Sequence, residues 1–173
     1  MPATPAIFAR YVSGALIETG TWHGDGVAAA LAAGFPRVCS VELSPTLHYA
    51  AAARFAADDR VELWLGLSTE CLPEMLADLH TPATFWLDAH YSGGDTLRGP
   101  TSCPVLAELS LIAAHAFKRH TILIDDVRLF GTELPVTVAE VRAALHAINP
   151  DYVLTYVESG IARLGHDILV ARC

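Results

Sequence analysis

Short apolar runs, each closed by a polar residue or a glycine, alternate along this chain with alanine- and leucine-rich stretches of helical composition. Residues 15–19 (ALIET) lead into Gly20, Gly24 and Gly26, and read as a buried strand entering a glycine-rich turn. Residues 27–33 are helical by their alanines, and Gly34 with Pro36 stops them. Residues 38–43 (VCSVEL) predict a second strand. Ser44 and Pro45 supply the cap and first-turn residues of a helix that runs to about residue 57. Val61–Leu65 is a third strand ending at Gly66, and a helix is expected over 69–79. A fourth strand, residues 85–87 (FWL), ends in Asp88. The loop from His90 to Cys103 holds three glycines and is long for a strand-to-helix connection. A helix over 104–117, a fifth strand Thr121–Ile124 ending in Asp125-Asp126, and a helix Val138–Ile148 follow. The end changes character: 152–158 and Ile168–Arg172, joined through Ser159-Gly160 with no helix, read as an antiparallel pair.

Strands alternating with helices predict an α/β, doubly wound, Rossmann-like domain. Its seven-stranded sheet is mostly parallel with an antiparallel C-terminal hairpin. No repeat, linker or low-complexity tract divides residues 1–173, so one domain is expected. The chain is 53% hydrophobic and 17% charged, which excludes a disordered tail as the main feature. The longest uncharged apolar stretch, 26–36, is far shorter than the roughly 18–20 residues a bilayer span requires. A net charge of −8, with Lys118 the only lysine, argues against nucleic acid as a partner. Four cysteines without a CxxC pair indicate neither a zinc knuckle nor a disulfide scaffold. No cationic start precedes an apolar run, so a reduced cytoplasmic setting is expected. The apolar composition leads to the expectation of a surface covered by a second subunit, as in a homodimer.

In open α/β sheets ligands bind beyond the carboxyl ends of the strands, so the residues found there are the candidates. They are the stretch from Glu18 to Gly26 after strand one, Glu42 after strand two, Gly66-Leu67-Ser68 after strand three, Asp88-Ala89-His90 after strand four, and Asp125-Asp126 after strand five. The first turn is not GxGxxG, so the dinucleotide fingerprint fails. Gly20 and Gly24 are expected to let backbone approach a ligand. Glu42, 22 residues past Gly20, stands where a carboxylate accepts from both hydroxyls of a ribose. A nucleoside-bearing ligand is therefore expected, against the plainer reading of a tight turn and a solvent-facing glutamate.

Asp88, Asp125 and Asp126 meet if strands four and five are neighbours. Carboxylates in one cleft raise each other's pKa unless a cation compensates, and hard oxygen ligands favour Mg²⁺, or Mn²⁺ or Ca²⁺. His90 is a ligand or a base. The plainer alternatives are an Asp88 that merely orients a substrate and an Asp126 that caps the next turn. Trp22 and Tyr91 are candidates for the pocket wall, whereas Trp64 and Trp86 are expected in the core. His115, His120, His146 and His166 are expected at the surface or in helix packing. Cys103 precedes a helix whose dipole could lower its pKa, but a neutral loop cysteine is the stronger reading. No GxSxG elbow occurs, so a serine hydrolase lacks its nucleophile.

The pieces ETGTWHGDG, VELSP, LGLSTECLP, FWLDAH and ILIDDV stand in order from about residue 15 to 172. Together they resemble the class I S-adenosylmethionine-dependent methyltransferases, and most closely the small cation-dependent O-methyltransferases typified by catechol O-methyltransferase. The resemblance implies that Glu18, Gly20 and Gly24 shape the pocket for the methionine part of S-adenosylmethionine, with Asp25 and Gly26 near its carboxylate. It implies that Glu42 holds the ribose, Leu43 packs on adenine, and Ser68 and Ala89 approach the adenine edge. Asp88, Asp125 and Asp126 would hold a divalent cation, most simply Mg²⁺. Methyl transfer to a small-molecule hydroxyl is the implied activity, with Asp88 and His90 catalytic.

Two departures stand out. The family's catalytic lysine, three residues after the strand-four aspartate, is Tyr91 here, which leaves His90 to take the proton. Only about 14 residues precede the first strand, so the helices that usually cover the site are expected to be truncated. The segment from Tyr91 to Gly99 is expected to contact the acceptor, and Arg98 is a candidate anchor for an acidic one. The competing expectations are a non-catalytic cofactor-binding or dimerisation module and a nicotinamide-dependent oxidoreductase. The latter conflicts with the glycine spacing.

Overall fold

A computed structural model describes residues 4–158 and 167–173. The expected turn at Ser159-Gly160, and His166, lie outside the described residues. Among the described residues seven strands form one sheet: β1 (Leu16–Thr19), β2 (Val38–Glu42), β3 (Val61–Leu65), β4 (Thr84–Leu87), β5 (Thr121–Ile124), β6 (Val153–Val157) and β7 (Ile168–Arg172). Their spatial order is β3-β2-β1-β4-β5-β7-β6. The first five are parallel, and β7 runs antiparallel between β5 and β6. The doubly wound sheet with its terminal hairpin is as the sequence predicts.

Alternation along each strand divides the core. Ile17, Phe85, Leu87, Ile122 and Ile124 point to the face packed by Leu72, Leu109 and Val141. These three belong to α4 (Ser68–Ala77), α5 (Val105–Ala114) and α6 (Val138–Ile148). Leu16, Trp86, Leu123 and Val170 point to the opposite face, against Phe8 of α1 (Pro5–Phe8) and Val27 and Ala30 of α2 (Asp25–Ala33). With β3 as its edge, the sheet leaves Trp64 half-buried rather than fully enclosed, whereas Trp86 is buried. Ser44 caps α3 (Pro45–Phe55), accepting from the Leu47 N–H. The helix expected to reach residue 117 stops at Ala114, because the Lys118 ammonium folds back and donates to the carbonyls of Ala113 and His115.

Two features prepare a site. The strand order reverses between β1 and β4, so the chain leaves their carboxyl ends toward opposite sides and opens a crevice there. The Asp88 N–H donates to the Thr19 carbonyl at 3.0 Å, which fixes the tips of these two strands together.

Candidate functional site

A cavity of about 820 Å³ opens over the carboxyl ends of β1 to β4. Of the sequence-predicted residues it is lined by Glu18, Gly20, Asp25, Gly26, Glu42, Leu43, Ser68, Asp88, Ala89, His90 and Asp126. Gly24 and Asp125 are not among its walls.

The glycines of the first turn admit close contacts from other elements. Gly20 has φ +89°, and a Cβ there would lie 2.5 Å from the Asp88 carbonyl oxygen. Its missing side chain lets β1 meet the backbone after β4, and Gly20 also lines the cavity. Gly24 stands at the start of α2 with φ +81°, and a Cβ there would meet Phe55 Cε2 at 2.6 Å. Gly24, which is not among the cavity walls, thus seats α2 on α3. Asp25 reaches the cavity rim, but its carboxylate is held by Arg54 at 2.8 Å. At Gly26 a Cβ would fall 1.8 Å from Glu18 Oε1, so the start of α2 lies directly on that buried carboxylate. The Ser40 hydroxyl donates to Glu18 Oε2 at 2.6 Å. Burial outweighs this bond and pushes the Glu18 pKa up to about 8.

Glu42, 7% exposed, is fixed from both sides. The Trp22 N–H donates to its Oε2 and the Ser44 N–H to its Oε1, each at 2.8 Å. Trp22 reaches this position with φ +49°. Among the described residues the only other non-glycine with positive φ is Asp126, at +55°, and it also lines the cavity. Each Glu42 oxygen has lone-pair capacity beyond its backbone bond, and so the carboxylate is a preset acceptor pair facing the first turn.

The acidic edge is arranged differently from the expected Asp88–Asp125–Asp126 set. His90 lies between two carboxylates, with Nδ1 3.3 Å from Asp88 Oδ1 and Nε2 3.1 Å from Asp126 Oδ2. Donor atoms of Asp88, His90 and Asp126 lie within 4.8 Å of one another, and so do those of Asp125, Asp126 and Asp167. Asp126 belongs to both groups, and Asp125 is not in the group of Asp88. The reason is local: β5 ends at Ile124, and Asp125 follows it into a smaller cavity shared with Asp88, Cys103 and Glu108, whereas Asp126, at φ +55°, turns toward the larger one. Neither Asp125 oxygen has a hydrogen-bond partner. Burial, then the charges of Asp88 and Asp126, push its pKa up to about 8.

Burial opposes a charged His90 ring, but Asp126 and Asp88 together outweigh it and raise its pKa to about 10. The two carboxylates thus favour the protonated ring. Burial raises Asp88 as well, with His90 pulling the other way. Asp126 is also buried, yet His90 and Arg128 bring its pKa below the usual carboxylate range.

Arg128, Asp167 and Glu108 were not singled out by the sequence. The Arg128 guanidinium donates to both Asp126 and Asp167. Glu108 is 1% exposed, and burial pushes its pKa up to about 7 against the hydroxyls of Ser68 and Thr19. One signal was available: Glu108 falls in the apolar stripe of α5, in step with Val105, Leu109 and Ile112. Asp167 carried no comparable signal, because only the β5–β7 pairing brings it to the site.

The loop from Tyr91 to Ser102 is closed at its base by the Tyr91 N–H donating to the Ser102 carbonyl at 2.8 Å. It crosses the cleft, where a Cβ on Gly99 would stand 3.2 Å from Leu67 Cδ2 and 3.7 Å from Leu43 Cδ2. Its far limb thus covers the tips of β2 and β3, and Arg98 rests against the Tyr91 ring at 5.9 Å. Trp22 and Tyr91 both line the cavity. Cys103 departs from the dipole idea, since burial raises its thiol pKa. His120 is fully buried, its Nδ1 accepting from the Ala83 N–H at 3.0 Å.

No protein-family model and no curated protein matches this chain. Solved structures do. The O-methyltransferase from Bacillus cereus in complex with SAH is 17% identical with TM-score 0.69, covering 98% of this chain and 78% of that one. TomG from Streptomyces achromogenes, an O-methyltransferase involved in tomaymycin synthesis and solved with SAM, is 16% identical with TM-score 0.64, covering 96% and 75%. SAM-bound CalS10, an amino pentose methyltransferase from Micromonospora echinaspora, is 16% identical with TM-score 0.62, covering 95% and 85%. At these identities the likeness establishes the fold, that of the class I methyltransferases.

Proposed function

On the class I methyltransferase fold, we propose that this chain binds S-adenosylmethionine and transfers its methyl group to a hydroxyl of a small molecule. The observation that carries the reading is Glu42. Its two oxygens are fixed by backbone N–H groups at the tip of β2 and directed at the first turn across a cavity large enough for a nucleoside. The residues present fit the group. Glu42 would accept from the ribose hydroxyls, Leu43 and Leu67 under the Gly99 limb would enclose the adenine, and the start of α2 over Glu18 would face the methionine end. Ser68 and Ala89 would border the adenine edge. When bound, S-adenosylmethionine supplies a methyl carbon made electrophilic by its sulfonium.

A divalent cation also fits the donor chemistry. Asp88 and Asp126 offer hard oxygens with His90 beside them, and the two unpartnered oxygens of Asp125 are what an ion or water at this edge would satisfy. Bound there, the ion supplies Lewis acidity that favours an ionised acceptor oxygen. The chain's own contribution is separable from it. His90, which borders the cavity, would attract the acceptor oxygen as negative charge develops. Asp88, its pKa raised by burial, would take the hydroxyl proton. Trp22 and Tyr91 would border the acceptor. A net charge of −8 supports a small-molecule acceptor over nucleic acid.

The test is label transfer from methyl-labelled S-adenosylmethionine to a panel of phenols, sugars and carboxylic acids, with Mg²⁺ or with chelator. Transfer to a hydroxyl is expected, and Asp88→Ala is expected to abolish it while leaving S-adenosylhomocysteine affinity within a few-fold. Tight binding with no transfer to any acceptor would favour a non-catalytic cofactor-binding module.

A further inference from the structure

We infer that His90 is the resident competitor for the position a divalent cation would take at the acidic edge, so that ring and ion exclude one another. The inference rests on the cation part of the proposed function. A histidine that ligates a metal turns one nitrogen to the ion and the other to a supporting acceptor. Here each nitrogen faces a carboxylate: Nδ1 lies 3.3 Å from Asp88 Oδ1, and Nε2 lies 3.1 Å from Asp126 Oδ2, although the Nε2 approach lacks the geometry of a hydrogen bond. The ring fills the space between these two oxygens, which is where an ion shared by Asp88 and Asp126 has to stand.

The remaining contacts agree. The other oxygen of Asp126 accepts from Arg128, which also holds Asp167, so in this arrangement both Asp126 oxygens face cations of the protein itself. Asp125, next in sequence and 2% exposed, has two oxygens with no partner. A protein built for the ring alone leaves that carboxylate unsatisfied. An ion entering at Asp126 gives it a neighbour to bind. The ring itself has a way out, since His90 also borders the large cavity. Ion entry is thus an exchange in which the imidazole leaves the carboxylates and turns toward the acceptor space.

The two roles for His90 differ in the sign of one measurement. Removal of a ligand weakens ion binding, whereas removal of a competitor tightens it. Mn²⁺ binding is read from the free-ion electron paramagnetic resonance signal in wild type and in His90→Ala, with circular dichroism to confirm that the variant folds. At least fivefold tighter binding by His90→Ala is expected. Equal or weaker binding overturns the inference and leaves the cation site standing. No binding by either protein up to millimolar Mn²⁺ overturns both. A second measurement needs no variant. In crystals of the wild type soaked with Mn²⁺, anomalous density between Asp88 and Asp126 is expected with the ring turned away. A ring nitrogen within coordination distance of that density overturns the inference.

Discussion

Replacing Glu42 with glutamine is the sharpest perturbation of the proposed cofactor site, because it preserves shape and removes one acceptor. In the native arrangement each oxygen receives a backbone N–H at 2.8 Å, from Trp22 on one side and Ser44 on the other. An amide can satisfy only one of these. Its NH₂ group must face the other N–H, donor against donor, and it turns a donor toward one ribose hydroxyl. A hydrogen bond to a charged acceptor contributes about 1.5–3 kcal/mol, so losing one and misorienting the turn predicts a cost near 3 kcal/mol, roughly 100-fold in Kd. Isothermal titration with S-adenosylhomocysteine reads this directly. In turnover the change belongs in KM for the methyl donor, with kcat little altered, because the acidic edge lies across the sheet on β4 and β5. A Kd within about threefold of wild type, in a variant with unchanged thermal stability, would refute the assignment of Glu42 to the ribose.

Two further outcomes test the site's foundations. Glu18 has its pKa raised from 4.5 to about 8 in the folded protein, so between these values the native state holds a proton that the unfolded chain has released. Its contribution to stability therefore falls as pH rises through that window and levels off above it. Glu18→Gln should flatten the slope and exceed wild type above pH 8 by on the order of 2 kcal/mol in urea denaturation; parallel pH profiles would count against it. Gly20→Ala should cost about 3 kcal/mol, since strained backbone adds to a Cβ 2.5 Å from the Asp88 carbonyl. Gly34→Ala, at φ +98° in open space, should cost only about 1 kcal/mol; equal losses would show that the approach of β1 to β4 is not tight.

Class and order of the fold were legible along the chain because each of the first five strands is a short apolar run closed by glycine or acid, and helices such as α3 carry a cap. Ser44-Pro45 and Thr121–Ile124 show this directly. Such signals act over a few residues, and so they survive being read without tertiary context. The positions of Glu42, Asp88 and Asp126 followed from the rule that strand tips gather ligands, which needs only the succession of strands. What each side chain does there was decided by the tertiary structure. Gly24 seats one helix on another because Phe55 arrives from a separate element. Asp125 and Asp126 face different cavities because the chain turns at a left-handed Asp126 immediately after β5. Arg128 and Asp167 join the acidic edge because β7 inserts beside β5. The protonated form of His90 is favoured because carboxylates beyond the tips of two strands close on it. Local patterning selects elements through backbone preference and burial. Charge state and contact depend on atoms distant in sequence, and only the folded sheet brings those within a few ångströms.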